Sequence, residues 1–414
     1  LIPLAGFIVL QAFLPLGTAV QIGADEGFEL AKATLGLHGH GLYTEAWNDQ
    51  PPLPTLLVVQ ALKHLSPGVV GARLLTVIAA AVLLAGMFWF VCRVGGLVVA
   101  SFTVALLLVS PGFLELSASC MLEIPALAPA VLALGVLWGE GRSGGWHVRE
   151  ILAGFLFGVA LLTKLVPAVL LPLAALIIWL RNREGERLLS SPGRISAIPQ
   201  IANRKSKLKN PNRKALRALI VLSASVVGSF VVIDLLIEGG AYLRHFQQSW
   251  SSHFGTTRSF EYGSPAKHPF DWSIFLKNWD LTIPGVLGVV ICLKRSRQAV
   301  WHMVPVVWLA LRLVVFAAHR PWWSYYYIHI ALPLCWCAAI GIVAAWNWAR
   351  QTGSVRWQVV FAVFGACAIA WMGTRVWLQA QDIRTSPQLY SSLLLLEIER
   401  LKPFTRYLYA DEPV

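Results

Sequence analysis

The sequence predicts an all-α polytopic protein that crosses a membrane about eleven times. Of its 414 residues, 57% are hydrophobic and 13% are charged, whereas soluble domains carry about 25% charged residues. A soluble domain could not enclose so many apolar side chains in one core, but a bilayer accommodates them in helices of roughly 20 residues. The 18 tryptophans are typical of the aromatic belts at membrane interfaces.

Polar or basic residues separate eleven apolar segments, and each segment is predicted to form a spanning helix. Residues 1–20 are interpreted as a first span and not as a cleaved signal. Thr163 and Lys164 are predicted to form a turn between two short spans, because one long helix over 150–180 would reverse the side of every later loop. The predicted spans are approximately 1–20, 68–91, 95–112, 122–139, 150–163, 165–180, 217–237, 280–293, 300–318, 326–346 and 357–378.

The basic residues indicate the orientation of these spans. Lys and Arg number 34 against 21 Asp and Glu, and the positive residues lie in loops between apolar runs. This pattern indicates membrane topology and anionic lipid headgroups, and it argues against nucleic acid as a partner. With the N-terminus inside, the cytoplasmic loops contain Arg93, Arg142 with Arg149, the basic loop 181–217, Lys294 with Arg295 and Arg297, and Arg350 with Arg356.

Two predicted external loops are too long to be simple turns, which makes them the expected location of a site. The loop 21–66 contains amphipathic stretches near 26–37 and 53–65, and the loop 238–279 is rich in His, Ser, Trp and Tyr. The transmembrane domain is therefore predicted to extend over 1–378. The remaining residues, 379–414, are predicted to start an external C-terminal segment that continues into a small soluble domain. The cytoplasmic loop 181–217 is predicted to be flexible.

An adjacent acidic pair, Asp25 and Glu26, follows the first span. Carboxylates at a membrane surface can deprotonate a hydroxyl or amine, or stabilise an oxocarbenium-like transition state. The same pair is also explained by a favourable acidic start to the next helix. Further along the loop, Pro51 and Pro52 fix an extended entry into a second short helix.

These features together resemble the bacterial protein-mannosyltransferase-like family of the C-type glycosyltransferase superfamily. The resemblance begins with Asp25 and Glu26, continues through Gly41 and Tyr43, and extends to the DQPPL motif at 49–53 and ARLL at 72–75. The family includes the aminoarabinose transferase of lipid A and rhizobial lipopolysaccharide transferases that use galacturonic acid. The resemblance implies a multi-span transferase fold with a catalytic first external loop.

The resemblance also implies which carboxylates take part in catalysis. It matches Asp25 to the family's candidate base, with Glu26 beside it, and Glu123 to a second acidic residue at the external start of the fourth span. Many relatives carry Asp at that point, whereas the rhizobial-like branch often carries Glu. Helix capping alone would also explain Glu123. Asp49 and Gln50 are predicted to position the acceptor or the loop.

Some relatives carry Lys before the double proline as a phosphate contact, but this chain has Gln50. Another cation is therefore expected to neutralise the lipid phosphate. Arg312 lies deeper in its span, where it could pair with a carboxylate, and its role is open. The predicted phosphate contacts are Lys164, which an intramembrane position makes functional by default, together with Arg258, Arg320, Tyr325 and Tyr326, with Lys267 as a further candidate.

No cofactor is expected from the sequence. Some members of the superfamily depend on a divalent ion, but the external histidines have no tight metal-ligand spacing, and neither do the six cysteines. The chain also lacks a Gly-rich nucleotide-binding motif. The histidines concerned are His253, His268, His319 and His329.

The predicted function is transfer of a sugar from a polyprenyl-phosphate donor to a lipid, glycan or protein acceptor at the external face of the inner membrane. A transporter or lipid flippase is the alternative, although we find no internal repeat of the kind transporters often contain. A catalytically inactive partner subunit is a third interpretation, and an intact Asp25 argues against it.

Overall fold

A computed structural model describes residues 2–17, 25–46, 48–65, 68–139, 147–190, 211–246, 269–296, 299–352 and 355–385. These residues form helices almost throughout, with one isolated bridge between Leu42 and Ala46 and no longer strand. The predicted all-α class is confirmed. The helices are α1 Ile2–Phe13, α2 Asp25–Leu37, α3 Leu53–His64, α4 Val69–Leu108, α5 Phe113–Ser117, α6 Glu123–Trp138, α7 Val148–Thr163, α8 Leu171–Ser190, α9 Pro211–Glu238, α10 Ser273–Lys277, α11 Trp279–Ser296, α12 Val304–Ala318, α13 Tyr327–Gln351 and α14 Val355–Thr385, with short 3-10 helices at Val166–Leu170, Val300–Met303 and Ser324–Tyr326.

Each predicted span coincides with a helix in the described ranges. Two shorter helices, α1 and α6, are also apolar. The chain is thus a multi-pass membrane protein. Within the described ranges, six helical stretches are long and apolar enough to cross a bilayer by themselves, namely Val69–Leu108, Val166–Arg183, Asn212–Ile237, Val300–Ala318, Ser324–Gln351 and Gln358–Arg384.

The break between the second and third predicted spans lies at Gly96 inside α4. This residue has φ 84° and ψ 171°, a conformation that glycine adopts without a steric penalty. It divides the 40 residues of α4 into two arms that correspond to the predicted spans 68–91 and 95–112. The predicted break is therefore confirmed and lies a few residues later than expected.

The predicted turn at Lys164 is also confirmed. Helix α7 ends at Thr163, and Lys164 takes an extended conformation with φ −159° and ψ 145°. The chain then enters the 3-10 helix Val166–Leu170 and continues into α8. This turn places the Lys164 side chain at the end of the bundle instead of inside a continuous helix.

The prediction of a flexible loop over 181–217 is wrong at both ends of that range, because both ends are helical. Helix α8 continues to Ser190 and α9 already begins at Pro211. The segment RNREGERLL is rich in Arg, Glu and Leu, which favour helix, and it extends a helix that is already formed. Residues 191–210 lie outside the described part of the chain.

Glycines bring α11 and α13 close together. A Cβ on Gly288 would lie 1.8 Å from the carbonyl oxygen of Cys337, and one on Gly341 would lie 2.2 Å from that of Pro284. Small residues of this kind allow membrane helices to approach at backbone distance. The contact fixes α13, whose N-terminal end carries the tyrosines of the candidate site.

The loop between α1 and α4 contains the two predicted amphipathic helices, α2 and α3, which pack against each other, and α3 also packs against α4. The second predicted external loop is described only in part, up to residue 246 and from 269 onward. Most of its candidate residues, including Arg258, Lys267, His253 and His268, lie outside the described residues. The predicted C-terminal segment is described only to Thr385.

Candidate active site

Asp25 lies at the start of α2, where its carboxylate is exposed at one end of the helical bundle. The Tyr325 hydroxyl donates a 2.7 Å hydrogen bond to Oδ2 of Asp25. Tyr325 belongs to the 3-10 turn that leads into α13. Helix α2 and the turn before α13 therefore meet at this carboxylate.

Glu26 points in the opposite direction and is fully buried. Arg73 of α4 donates to both of its oxygens, from Nε over 2.8 Å and from Nη2 over 2.9 Å. The backbone N–H of Cys120 donates a third bond of 2.7 Å to Oε1. Both oxygens of Glu26 are thus occupied, and the geometry makes Glu26 the anchor of α2. Its predicted catalytic role stays a prediction.

Glu123 begins α6 and is also fully buried. The Lys164 ammonium lies 2.5 Å from its Oε1, while Oε2 has no hydrogen-bond partner in the described part of the chain. Burial disfavours the charged form of Lys164, but the Glu123 carboxylate outweighs that effect and raises the pKa of Lys164. The two side chains therefore form a buried salt bridge.

Tyr325 and Tyr326 connect this ion pair to Asp25. The Lys164 ammonium lies 5.8 Å from the ring centroid of Tyr325 and 5.7 Å from that of Tyr326, which is within the range of cation–π attraction. Asp25, Tyr325, Tyr326, Lys164 and Glu123 thus form one continuous cluster. Five of the predicted site residues are brought together by four separate parts of the chain.

A second network holds the loop between α2 and α3. Lys32 Nζ lies 2.6 Å from Glu29 Oε1, 3.0 Å from Asn48 Oδ1 and 3.6 Å from Asp49 Oδ1. Gln50 donates from Nε2 to Asp49 Oδ2 over 3.0 Å. The predicted Asp49 and Gln50 therefore belong to a polar network that fixes the loop.

The sequence analysis missed Glu29 and Lys32, although their i, i+3 spacing on α2 was a usable signal. Burial raises the pKa of Glu29, against the opposing effects of Lys32 and Lys164. Because the Lys164 charge acts on Glu29, this second network is electrostatically connected to the first cluster.

Arg312 of α12 is fully buried below the tyrosines. Its Nη1 donates a 3.2 Å bond to the Val166 carbonyl oxygen. Its Nε and Nη2 have no partner among the described residues, and none of the ion pairs described there joins it to a carboxylate. His329 of α13 is also fully buried, and both of its ring nitrogens lack a partner in the part of the chain that the structure describes. The sequence allowed a carboxylate beside Arg312, and the described structure supplies none.

Aromatic rings connect Arg312 to the cluster. Phe316, one helical turn after Arg312, has its ring centroid 5.4 Å from that of Tyr326 and 5.2 Å from that of His329. The ring centroid of Trp322 lies 5.7 Å from that of Phe316. Arg312 and His329 thus lie within one layer of side chains of Tyr326.

Two other predicted residues do not join the cluster in the described structure. The Arg320 side chain is exposed, and no hydrogen bond or ion pair joins it to another described residue. Arg258 lies outside the described residues. The described residues contain no group of three His, Cys, Asp or Glu side chains arranged to hold a metal. The expectation that no cofactor is required stays a prediction.

Comparison with solved structures identifies the class of fold. ArnT from Cupriavidus metallidurans bound to undecaprenyl phosphate superposes with a TM-score of 0.55 at 16% identity, over 88% of this chain and 63% of that one. The oligosaccharyltransferase AglB from Archaeoglobus fulgidus, in complex with an inhibitory peptide and a dolichol-phosphate, superposes with a TM-score of 0.60 at 14% identity, over 100% of this chain and 60% of that one. The chain has the fold of the C-type glycosyltransferases, as predicted.

A family model also matches part of the sequence. Residues 45–248 match the model of the dolichyl-phosphate-mannose-protein mannosyltransferase family. The region contains Asp49, Arg73, Glu123 and Lys164 and begins after Asp25. The predicted resemblance is confirmed. No curated protein sequence matches the chain significantly, and the chain spans about 60% of the length of the solved structures it resembles.

Proposed function

We propose that this protein is a membrane glycosyltransferase that moves a sugar from a polyprenyl-phosphate donor to a lipid, glycan or protein acceptor. One observation carries the proposal: an exposed carboxylate, Asp25, is oriented by Tyr325 next to the buried Glu123–Lys164 ion pair. The family match and the fold support it. Two proteins with this fold were solved with undecaprenyl phosphate and with a dolichol-phosphate.

In the proposed reaction, Asp25 is the general base. Its carboxylate takes the proton from the acceptor hydroxyl or amine as that atom attacks the anomeric carbon of the donor sugar. The bond from the anomeric carbon to the phosphate oxygen breaks, and the electron pair leaves with the polyprenyl phosphate. A single displacement of this kind inverts the anomeric configuration. Tyr325 holds the carboxylate in place through its 2.7 Å hydrogen bond.

The leaving phosphate requires a cation, and the structure offers two that differ in their surroundings. Lys164 is already neutralised by Glu123 at 2.5 Å, whereas Arg312 has two donors without a partner among the described residues. Nε and Nη2 form the side of the guanidinium that binds an oxyanion with two parallel hydrogen bonds. We therefore assign the main phosphate contact to Arg312, with Lys164 and the tyrosines completing the site.

The remaining carboxylates then have positioning roles. Glu26 fixes the start of α2 through Arg73, so that Asp25 faces the cluster. Glu123 holds the Lys164 side chain beside the tyrosines and leaves one oxygen available to a ligand. Asp49 and Gln50 keep the acceptor-side loop in shape. Preorganised groups of this kind stabilise developing charge without rearrangement during the reaction.

We also propose that the protein resides in the inner membrane with this site on the periplasmic side. The cluster lies at the ends of α2, α6, α7 and α13 that the positive-inside rule places outside, and the basic loops lie at the other ends. Single cysteines introduced at the exposed positions Thr44 and Arg350 test this orientation in intact cells. A membrane-impermeant maleimide should label Thr44→Cys and spare Arg350→Cys, and the reverse pattern would contradict the proposal.

The activity is tested with purified protein in liposomes that contain radiolabelled sugars on polyprenyl phosphate or on nucleotides. The proposal expects transfer to an acceptor from a polyprenyl-phosphate donor and none from nucleotide sugars. Movement of the labelled lipid between leaflets without formation of a new glycosidic bond would favour the flippase alternative. Transfer from nucleotide sugars alone would exclude the proposed donor.

A further inference from the structure

A cavity of about 150 Å³ lies at the end of the bundle opposite to Asp25. It is bounded by α4 near its break, the end of α11, the start of α12 and the last part of α13. Along α13, Asn347 on the cavity is 20 residues beyond Tyr327, which corresponds to roughly 30 Å of helix. This distance matches the hydrocarbon thickness of a bilayer. The cavity therefore extends from the level of the other headgroup layer at Asn347 inward to Trp336, which lies 9 residues, or roughly 14 Å of helix, beyond Tyr327.

The cavity contains an unsatisfied polar group. Trp336 lines it, and the indole Nε1 of this fully buried residue has no hydrogen-bond partner in the described part of the chain. A Cβ on Gly95 would lie 3.8 Å from that nitrogen, so the indole edge faces the part of α4 that lines the cavity. An indole N–H is a donor only. The group that satisfies it must therefore be a hydrogen-bond acceptor.

Other features of the cavity also favour an acceptor that carries negative charge. Arg295, His302 and Asn347 line it. The second arm of α4 starts just after Gly96, whose non-helical conformation separates it from the first arm. The first N–H groups of such a helix lack partners within it and carry partial positive charge. The cavity is thus surrounded by the Arg295 cation, the Trp336 indole donor and the start of the second arm of α4.

The remaining wall of the cavity is apolar. Val94, Val99, Ile340 and Val343 line it, and the Trp301 ring stacks on His302 with a centroid distance of 4.1 Å. If a small inorganic anion occupied the cavity, these apolar side chains would remain in contact with water. A phospholipid fits both the polar and the apolar wall of the cavity, because its phosphodiester is a singly charged acceptor and its glycerol and acyl carbons are apolar.

We propose that this cavity binds the phosphodiester headgroup of an anionic phospholipid from the leaflet on the basic side of the protein. The Arg295 guanidinium and the Trp336 indole contact the phosphate, and the aliphatic wall contacts the start of the acyl chains. The bound lipid connects α4, α11, α12 and α13 at the end remote from the candidate active site. The proposal does not depend on the transferase reaction.

Native mass spectrometry and thermal unfolding of the purified protein test the site with three probes: phosphatidylglycerol, phosphatidylcholine and inorganic phosphate. Native protein should retain phosphatidylglycerol and unfold at a higher temperature with it than with phosphatidylcholine. Arg295→Met should weaken this retention about tenfold or more, as expected for loss of a charged hydrogen bond. Arg356→Gln, which removes an exposed cation that is not on the cavity, is the matched control and should behave like native protein.

Trp336→Phe provides a second variant, because it removes the indole N–H and keeps an aromatic ring in the core. It should also weaken retention of phosphatidylglycerol. Equal loss of lipid in Arg295→Met and Arg356→Gln would overturn the proposal, since it would show general charge attraction. Stabilisation by inorganic phosphate equal to that by phosphatidylglycerol would overturn the assignment to a lipid. Retention unchanged in both Arg295→Met and Trp336→Phe would exclude the site.

Discussion

Tyr325 donates a 2.7 Å hydrogen bond to Asp25, although the two residues are 300 positions apart in the chain. The bond joins α2 to the 3-10 turn before α13. It orients the carboxylate that we propose as the base. The Tyr325 ring centroid also lies 5.8 Å from the Lys164 ammonium, so this contact links Asp25 to the Glu123–Lys164 pair.

Replacing Tyr325 with Phe should lower the transfer rate about ten- to hundredfold, because a hydrogen bond to a charged group contributes about 1.5–3 kcal/mol. The rate is measured as initial transfer from a saturating polyprenyl-phosphate donor. Tyr327→Phe is the control, because the Tyr327 hydroxyl is buried without a partner in the described structure. Equal rates in native protein and Tyr325→Phe would remove the hydrogen bond from the mechanism.

Arg312→Met should have two opposite effects. It removes a buried charge that lacks a carboxylate in the described structure, so the unliganded protein should unfold at a higher temperature. It also removes the proposed phosphate contact, so the KM for the donor should rise about tenfold or more. Thermal unfolding without donor and donor titration measure the two effects. A lower unfolding temperature together with an unchanged KM would mean that Arg312 has a structural role instead.

Glu123→Gln and Lys164→Met should each destabilise the protein by about 3–5 kcal/mol, because each leaves the partner charge buried and unpaired. The double variant should be more stable than the sum of the single effects predicts. Denaturant unfolding of the four proteins gives the coupling free energy between the two residues. Additive effects would show that the ion pair is absent in the membrane.

Gly288→Ala should destabilise the bundle by about 1–3 kcal/mol, because its Cβ would meet the Cys337 carbonyl oxygen at 1.8 Å. The helices α11 and α13 would have to separate. Gly228→Ala is the matched control, since nothing lies within 4 Å of a Cβ at that helical position. Alanine there should be neutral or stabilise by up to about 1 kcal/mol. Similar unfolding temperatures for the two variants would contradict the close packing.

The sequence predicted the helices and the end of the bundle at which the candidate residues meet. Hydropathy located the spans, and the number of crossings placed Asp25, Glu123, Lys164 and Tyr325 at one end of the bundle. This inference needs only the order of apolar segments and the positions of the basic loops. Helix breaks were also predictable where glycine or a charged residue interrupts an apolar run, as at Gly96.

The pairing of charges could not be predicted in the same way. Asp25 and Glu26 are neighbours in sequence, but α2 turns one outward and buries the other against Arg73. The sequence predicts Lys164 as a phosphate contact, but it does not predict that helix packing also pairs Lys164 with the Glu123 carboxylate. Such pairs depend on how helices rotate about their axes, which a hydropathy pattern does not specify. The lack of a carboxylate beside Arg312 among the described residues is equally a result of packing.

The most direct measurement is transfer of radiolabelled sugar from polyprenyl-phosphate donors to membrane acceptors by native protein and by Asp25→Asn. Asp271→Asn, which changes an exposed carboxylate paired with Lys277, is the control, and thermal unfolding confirms that all three proteins are folded. The account predicts transfer by native protein and Asp271→Asn, and loss of transfer in Asp25→Asn. Undiminished transfer by a folded Asp25→Asn protein would contradict it.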